Sequence, residues 1–227
     1  MSLRIRPARF LPSIAVVAFI AAGCAPLPYS LNFAKDNIIG IDVALESEVL
    51  PDTQAGVSRS RITLVRHFVR ASEVHEVAAA IGTVMASTNL TNLRLRATGT
   101  REETRNGATS TALVLDPSQE LRRLEEKVVG ALHIFRSNPI DAREYVVTPE
   151  GARMSDDRIE AVEQFVPAES GVNYRPFLLV EPSQAEAAKK STNQITVRAV
   201  GVSIYQLGAQ STADRRLWTW TGEPGAR

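Results

Sequence analysis

Arg61-Ile62-Thr63-Leu64 and Pro176-Phe177-Leu178-Leu179-Val180 decide how this chain is read, because each lies in an apolar run with the composition of a strand. Residues two apart in a strand share a face, so Arg59, Arg61, Thr63, Val65 and His67 are expected on one side, and Ile62, Leu64 and Phe68 on the other. The same rule groups Arg175, Phe177 and Leu179. One of these faces offers guanidinium and hydroxyl donors, and the other is largely apolar.

Outward from these two stretches, the chain reads as alternating strands and helices. Ile38 to Glu46 is expected as a strand, followed by a loop containing proline and serine and a second strand from Arg61 to Phe68. Ser72 is expected to cap a helix with Val74, Val77, Ala78, Ile81, Val84 and Met85 at helical spacing. Strands are expected at Leu93–Ala97 and Thr111–Leu115, and Asp116-Pro117 as the N-cap and first turn of a helix that turns Leu121, Leu124, Val128 and Ala131 inward. From about Arg136 to Glu160 the pattern weakens into a long connection. Ile159–Val166 then leads to a strand at Tyr174–Glu181, a short helix at Pro182–Lys190, two strands at Ile195–Val200 and Val202–Leu207, and a last segment at Arg215–Trp220. Strand, helix, strand, strand in each half predicts a duplicated α+β unit.

The ends carry a different signal. Arg4, Arg6 and Arg9 precede an apolar run from Leu11 to Ala22 that is too short to span a bilayer comfortably, which predicts an export signal over residues 1–23. It ends in Ala21-Ala22-Gly23-Cys24, which resembles a bacterial lipobox, so Cys24 is the expected site of lipidation and palmitate one of the expected acyl groups. Residues 24–36, with Ala25-Pro26-Leu27-Pro28, read as an extended tether, 37–221 as the folded domain and 222–227 as a tail. Cys24 is the only cysteine, so no intramolecular disulfide can form. Loss of residues 1–23 would remove three of the 26 basic residues and none of the 25 acids, leaving a near-neutral protein without the basic field of a sequence-independent nucleic-acid binder.

The two opening stretches, taken with Ile41-Asp42-Val43-Ala44-Leu45-Glu46, Thr63-Leu64-Val65-Arg66-His67-Phe68-Val69, Asn173-Tyr174-Arg175-Pro176 and Ser203-Ile204-Tyr205-Gln206-Leu207-Gly208, resemble an exported bacterial branch of the 2H phosphoesterases. That superfamily contains RNA 2',5'-ligase-like proteins and cyclic phosphodiesterases, and carries His-x-Thr or His-x-Ser in each of two lobes. In this chain Arg61 and Phe177 stand where the histidines belong and Leu179 where the second hydroxyl belongs; only Thr63 keeps the expected type. The resemblance implies a bilobal fold in which two antiparallel sheets face a central groove with helices outside. It also implies that the Arg61 and Phe177 faces confront each other across that groove.

Histidine titrates near neutral pH without help, whereas arginine stays protonated and phenylalanine has no exchangeable proton, so neither replacement can act as general acid or base. Losing one such group typically costs about 100- to 10,000-fold in rate. The expected function is therefore a degenerate, non-catalytic domain that binds a ligand or an envelope partner, facing the periplasm from the outer membrane. The alternatives are an active cyclic phosphodiesterase in which Arg61 stabilises transition-state charge, and an envelope-structural partner domain. A ligand site would use Arg61, Thr63, Arg175 and Phe177, with a small anionic or amphipathic ligand; alternatively Phe177 and Leu179 fill the groove as core. His67, six residues beyond Arg61, lies too far along the strand to replace the missing base, and His75 and His133 are expected on solvent-facing helix surfaces. No histidine or cysteine pair has metal-ligand spacing, so neither a metal nor a cofactor is expected. The arginines at 59, 61, 66, 70, 94, 96, 101 and 105 are expected as a solvated surface.

Overall fold

The computed structural model describes residues 37–49, 59–90, 92–105, 108–135, 142, 144–180, 182, 185–192, 195–210 and 212–221. The expected signal segment, Cys24 with its tether, most of the loop before Arg61 and the tail at 222–227 lie outside these residues. Among the described residues the fold is mixed α+β, with the order β1 (Ile38–Val49), β2 (Arg59–Arg70), α1 (Val74–Ala86), β3 (Arg94–Arg105), β4 (Ala108–Leu115), α2 (Gln119–Leu132), α3 (Asp156–Glu163), α4 (Phe165–Glu169), β5 (Phe177–Val180), α5 (Ala185–Ser191), β6 (Thr196–Leu207) and β7 (Ala213–Thr221). No described helix is long and apolar enough to cross a membrane.

All seven strands belong to one antiparallel sheet rather than two separate ones, in the order β2-β1-β6-β3-β4-β5, with β7 also on β6. The link is β3. Its first residues, Arg94–Arg96, pair with Thr196–Arg198 of β6, and from Ala97 onward it pairs with β4 across a register shift at Ala97/Gly99. Sequence reading ended this strand at Ala97, because the polar run Thr98–Arg105 lacks the apolar alternation of a half-buried strand. Beyond Arg198 the same edge of β6 pairs with β7. The sheet curls, so that its end strands β2 and β5 come back beside each other.

The helical face of the sheet holds the main core. Ile39, Ile41, Val43 and Leu45 of β1 alternate onto it, and Val74, Val77, Ala78, Ile81 and Met85 of α1 and Leu121, Leu124, Val128 and Leu132 of α2 pack there. Full burial of each Leu, Ile or Val stabilises by about 1.5–3 kcal/mol, and cutting Ile81, which is 0% exposed, to Ala would open a void at the centre of this layer. A smaller cluster of Ile38, Phe68, Ala142, Val146, Met154, Ile159, Val162 and Leu207 covers only part of the opposite face. The uncovered part of that face becomes the cleft described below.

Several boundaries differ from expectation for local reasons. Ser72 does not cap α1; it sits in a 3-10 turn, Ala71–Glu73, anchored by the Ala71 N–H to the Asn37 carbonyl at 2.7 Å. The cap of α2 is Ser118, whose hydroxyl accepts from the Leu121 N–H at 3.2 Å, because Asp116 still continues the strand layer through its N–H to the Arg96 carbonyl. Ala131 is only partly buried, and Leu132 takes the inward place. The expected break at Gly201 is absent: β6 runs through it, and glycine is required because a Cβ there would lie 2.5 Å from the Trp220 carbonyl oxygen of β7. Trp218 and Trp220 oppose core-facing residues of β6, Ile204 and Val202 respectively.

The stretch read as a long connection is ordered where it is described. Val146 bridges Ile38, the Val147 N–H donates to the Ile38 carbonyl at 2.8 Å, and Met154 is fully buried ahead of α3. Ile159–Val166, which leads toward the next strand as expected, lies on α3 and α4. The strand expected from Tyr174 begins only at Phe177, since Pro176 has no N–H to give a ladder; its carbonyl instead accepts from Leu115 at 2.9 Å.

Candidate functional site

The face of β2 expected from simple alternation changes hands at a bulge. Val43 of β1 opposes Val65, while the next residue, Ala44, opposes Thr63, so Leu64 is an extra residue. Before the bulge Arg61 and Thr63 point to the face away from the helices. After it, Arg66 takes that face opposite Asp42, and Val65 and His67, opposite Val43 and Ile41, turn toward the main core. His67 therefore lies on the other face from Arg61, not merely further along the same one. His75 and His133 are exposed, as expected.

Thr63 and Arg61 line a cleft of about 280 Å³ between the two end strands of the curled sheet. One wall is Asp42, Ala44, Arg61, Thr63 and Arg66 from β1 and β2. The other is Arg101 and Glu103 of β3, the segment Tyr174-Arg175-Pro176, and Phe177 and Leu179 of β5; Phe165, Glu169 and Thr212–Asp214 complete it. Every residue singled out from sequence for ligand contact, namely Arg61, Thr63, Arg175 and Phe177, is thus brought into one site together with Leu179. The expectation that Phe177 and Leu179 close the groove as core does not hold. Leu179 is 41% exposed and Phe177 half-buried, while their neighbours Leu178 and Val180 supply the core contacts.

The walls are tied across the cleft by the Tyr174 hydroxyl, which donates to the Thr63 carbonyl at 3.0 Å. Burial first, then the charges of Glu125 and Asp42, hold that hydroxyl well above its usual titration range, so it acts as a fixed donor and not a proton shuttle. The segment carrying Tyr174 and Arg175 is fastened from behind. Arg122 donates to the Gly171 carbonyl at 2.9 Å, and the buried Glu125 carboxylate accepts from the Gly171 N–H at 3.3 Å. Burial pushes the Glu125 carboxyl upward, against the lowering influence of the nearby Ser170 hydroxyl and Gly171 N–H.

Asp42 is the polar centre of the first wall. It is 3% exposed, and its Oδ2 accepts from the Thr63 hydroxyl at 3.0 Å and from Arg66 Nε at 3.4 Å. Arg66 also lies over the Phe165 ring. On the opposite wall Arg101 pairs with Glu103 at 2.5 Å and stacks on Phe177, 4.3 Å from the ring centroid. Arg61 is held differently: it stacks on Tyr205 at 4.5 Å and donates to the Ala213 carbonyl at 3.0 Å, while the Tyr205 hydroxyl donates to Glu46 at 2.6 Å. Arg175 donates to the Val172 and Tyr174 carbonyls at 3.0 and 3.1 Å.

Among the described residues neither Arg61 nor Arg175 has a carboxylate partner within 4 Å, so both guanidinium groups keep donors for a ligand. Asp42, Arg66, Arg101 and Tyr174 were not singled out from sequence. An aspartate within the apolar run Ile38–Leu45 is a recognisable sign of a buried polar role, whereas Arg66 joins the site only through the bulge. Three of the eight arginines read as a solvated surface, Arg61, Arg66 and Arg101, converge here, while Arg94 and Arg96 are exposed as expected. No described lining residue is a histidine, and among the described residues no three His, Cys, Asp or Glu side chains cluster as metal ligands. The lining carries four arginines and four acids, so selectivity here comes from placement, not from a one-signed field. Compared with known proteins, the chain matches no family model and no curated protein.

Proposed function

We propose that this chain is a degenerate relative of the 2H phosphoesterases, a lipid-anchored protein of the bacterial cell envelope whose cleft binds a small anionic, amphipathic ligand without hydrolysing it. The observation that carries this reading is the convergence of Arg61 and Thr63 with Phe177 and Leu179 in one cleft, where the resemblance requires two motif strands to face each other. Arg61 and Arg175 supply guanidinium donors for an oxyanion, and Phe177, Leu179 and Pro176 supply an apolar wall. With Tyr174 held as a neutral donor and no histidine among the described lining residues, the cleft lacks the titrating pair that phosphodiester cleavage uses.

The strand order also supports a duplicated, bilobal reading. From the central β6–β3 pair outward, β1 and β4 come next and β2 and β5 last, so the path β2-β1-β6-β3-β4-β5 is a palindrome of equivalent roles. The strands and the one equivalent helix run β1-β2-α1-β3 in the first half and β4-β5-α5-β6 in the second, where α2, α3 and α4 are inserted between β4 and β5 and β7 follows outside the repeat; the final strand of each half lies next to the partner half. The envelope location rests on Ala21–Cys24 and the basic and apolar run before it.

The test uses the full chain in detergent, assayed for hydrolysis of a 2',3'-cyclic nucleotide panel and for binding of n-propyl phosphate by calorimetry. The expected result is no turnover, with binding that weakens in Arg61→Ala and in Phe177→Ala. Turnover that is lost in Arg61→Ala would establish the catalytic alternative, and failure to bind the phosphate would rule out a phosphate ligand at this site.

A further inference from the structure

Asp42 Oδ1 is buried in the cleft wall and has no hydrogen-bond partner among the described residues. Polar groups beside it in the cleft are bound elsewhere: the Thr63 hydroxyl and Arg66 Nε donate to Oδ2, and the Tyr174 hydroxyl to the Thr63 carbonyl. A buried acceptor left without a donor is costly, and a carboxylate oxygen more so than a neutral one. The group that completes it is constrained by its surroundings. Arg66 already balances the Asp42 charge, so an ammonium would bring a second cation into a buried place, whereas a hydroxyl supplies the missing proton without one.

Volume limits what carries that hydroxyl. A cleft of about 280 Å³ lies just under the range typical of drug-sized ligand pockets. That suits a short polyol bearing one anionic group better than a nucleotide. Resting on the anion-binding reading above, we propose that the ligand is a small hydroxylated oxyanion, its phosphate or carboxylate held by Arg61 and Arg175 and its hydroxyl donating to Asp42 Oδ1. The carbon chain between the two groups lies along Pro176, Phe177 and Leu179.

Matched probes test this on the unaltered full chain. Glycerol 3-phosphate and n-propyl phosphate share a carbon count and an anionic group and differ in hydroxyls; glycerate and propionate form the corresponding carboxylate pair. Calorimetry is expected to show the hydroxylated member of at least one pair bound on the order of 10-fold more tightly, and the pair in which this occurs identifies the anionic group. In Asp42→Asn, checked for folding by near-ultraviolet circular dichroism, that ratio is expected to fall toward one. Equal binding within both pairs, as when an ordered water alone occupies Oδ1, would overturn this inference and leave the anion site standing. No binding of any of the four would overturn both, and a preference that survives intact in a folded Asp42→Asn would place the hydroxyl elsewhere.

Discussion

Tyr174→Phe isolates the hydrogen bond by which the Tyr174 segment is fastened to β2 across the cleft. The ring is 2% exposed and the substitution preserves its shape, so no cavity opens and the change reduces to the loss of the 3.0 Å bond to the Thr63 carbonyl. A hydrogen bond of this kind contributes about 0.5–1.5 kcal/mol net, rising to about 1–3 kcal/mol if the abandoned acceptor stays dry. Thr63 lies on an end strand at the edge of a cleft, where water can reach part of the backbone, so a loss of about 1–2 kcal/mol is expected. For a domain of this size that is roughly 3–6 °C in Tm. Scanning calorimetry measures it directly, and n-propyl phosphate affinity should fall with it, because Arg61 and Phe177 sit on opposite sides of the bond. A Tm within about 1 °C of the parent, with unchanged affinity, would refute the argument that this hydroxyl sets the spacing of the walls.

Three further outcomes follow from the same geometry. Burial raises the Glu125 carboxyl above its ordinary value of 4.5, so the folded chain holds that proton to higher pH than the unfolded chain, and this group's contribution to stability declines as pH rises from 4.5 through the raised value. Melts from pH 4 to 8 should therefore show the parent losing ground to Glu125→Gln as pH rises, and parallel curves would contradict it. Gly201→Ala forces a Cβ to within 2.5 Å of the Trp220 carbonyl, so β7 must shift; a loss of about 1–3 kcal/mol and altered tryptophan fluorescence are expected. Ser118→Ala should cost about 1 kcal/mol by urea denaturation, with Asp116→Ala costing less, because the cap bond belongs to Ser118.

Much of the fold was legible because burial imposes a period. The apolar spacing of α1 and α2 and the alternation in β1 each follow from one face meeting the core, and the structure places those residues as the spacing requires, except that Leu132 replaces Ala131 and Val84 is only partly buried. What was illegible depended on pairing with distant chain. The second half of β3 is polar, and only its ladder with β4 makes it a strand; Asn106-Gly107 between the paired Arg105 and Ala108 was the available hairpin signal. Arg61 and Thr63 were legible as one face because neighbours two apart on a strand share it, whereas their meeting with Arg175 and Phe177 was expected only from the family resemblance. The site was not legible at Arg66, because a bulge is set by the partner strand and leaves no mark in the period of its own. Arg101 and Tyr174 join the cleft through the curl of the sheet, which only the full strand order reveals.

The pairing of β1 with β6 has a kinetic consequence. Ile41 takes Gln206 as its neighbour, and β6 in turn carries β7, so the strand nearest the amino terminus cannot complete its sheet until nearly the whole chain has emerged. A topology dominated by such distant contacts folds slowly, since the entropy of closing the long loop must be met before any contact across it is gained. The β1–β2 pair can form early, but β1 gains its second neighbour only once β6 has been made. A chain exported unfolded, as the proposed envelope location requires, would gain from that delay, because its sheet closes only after β6 and β7 have been made.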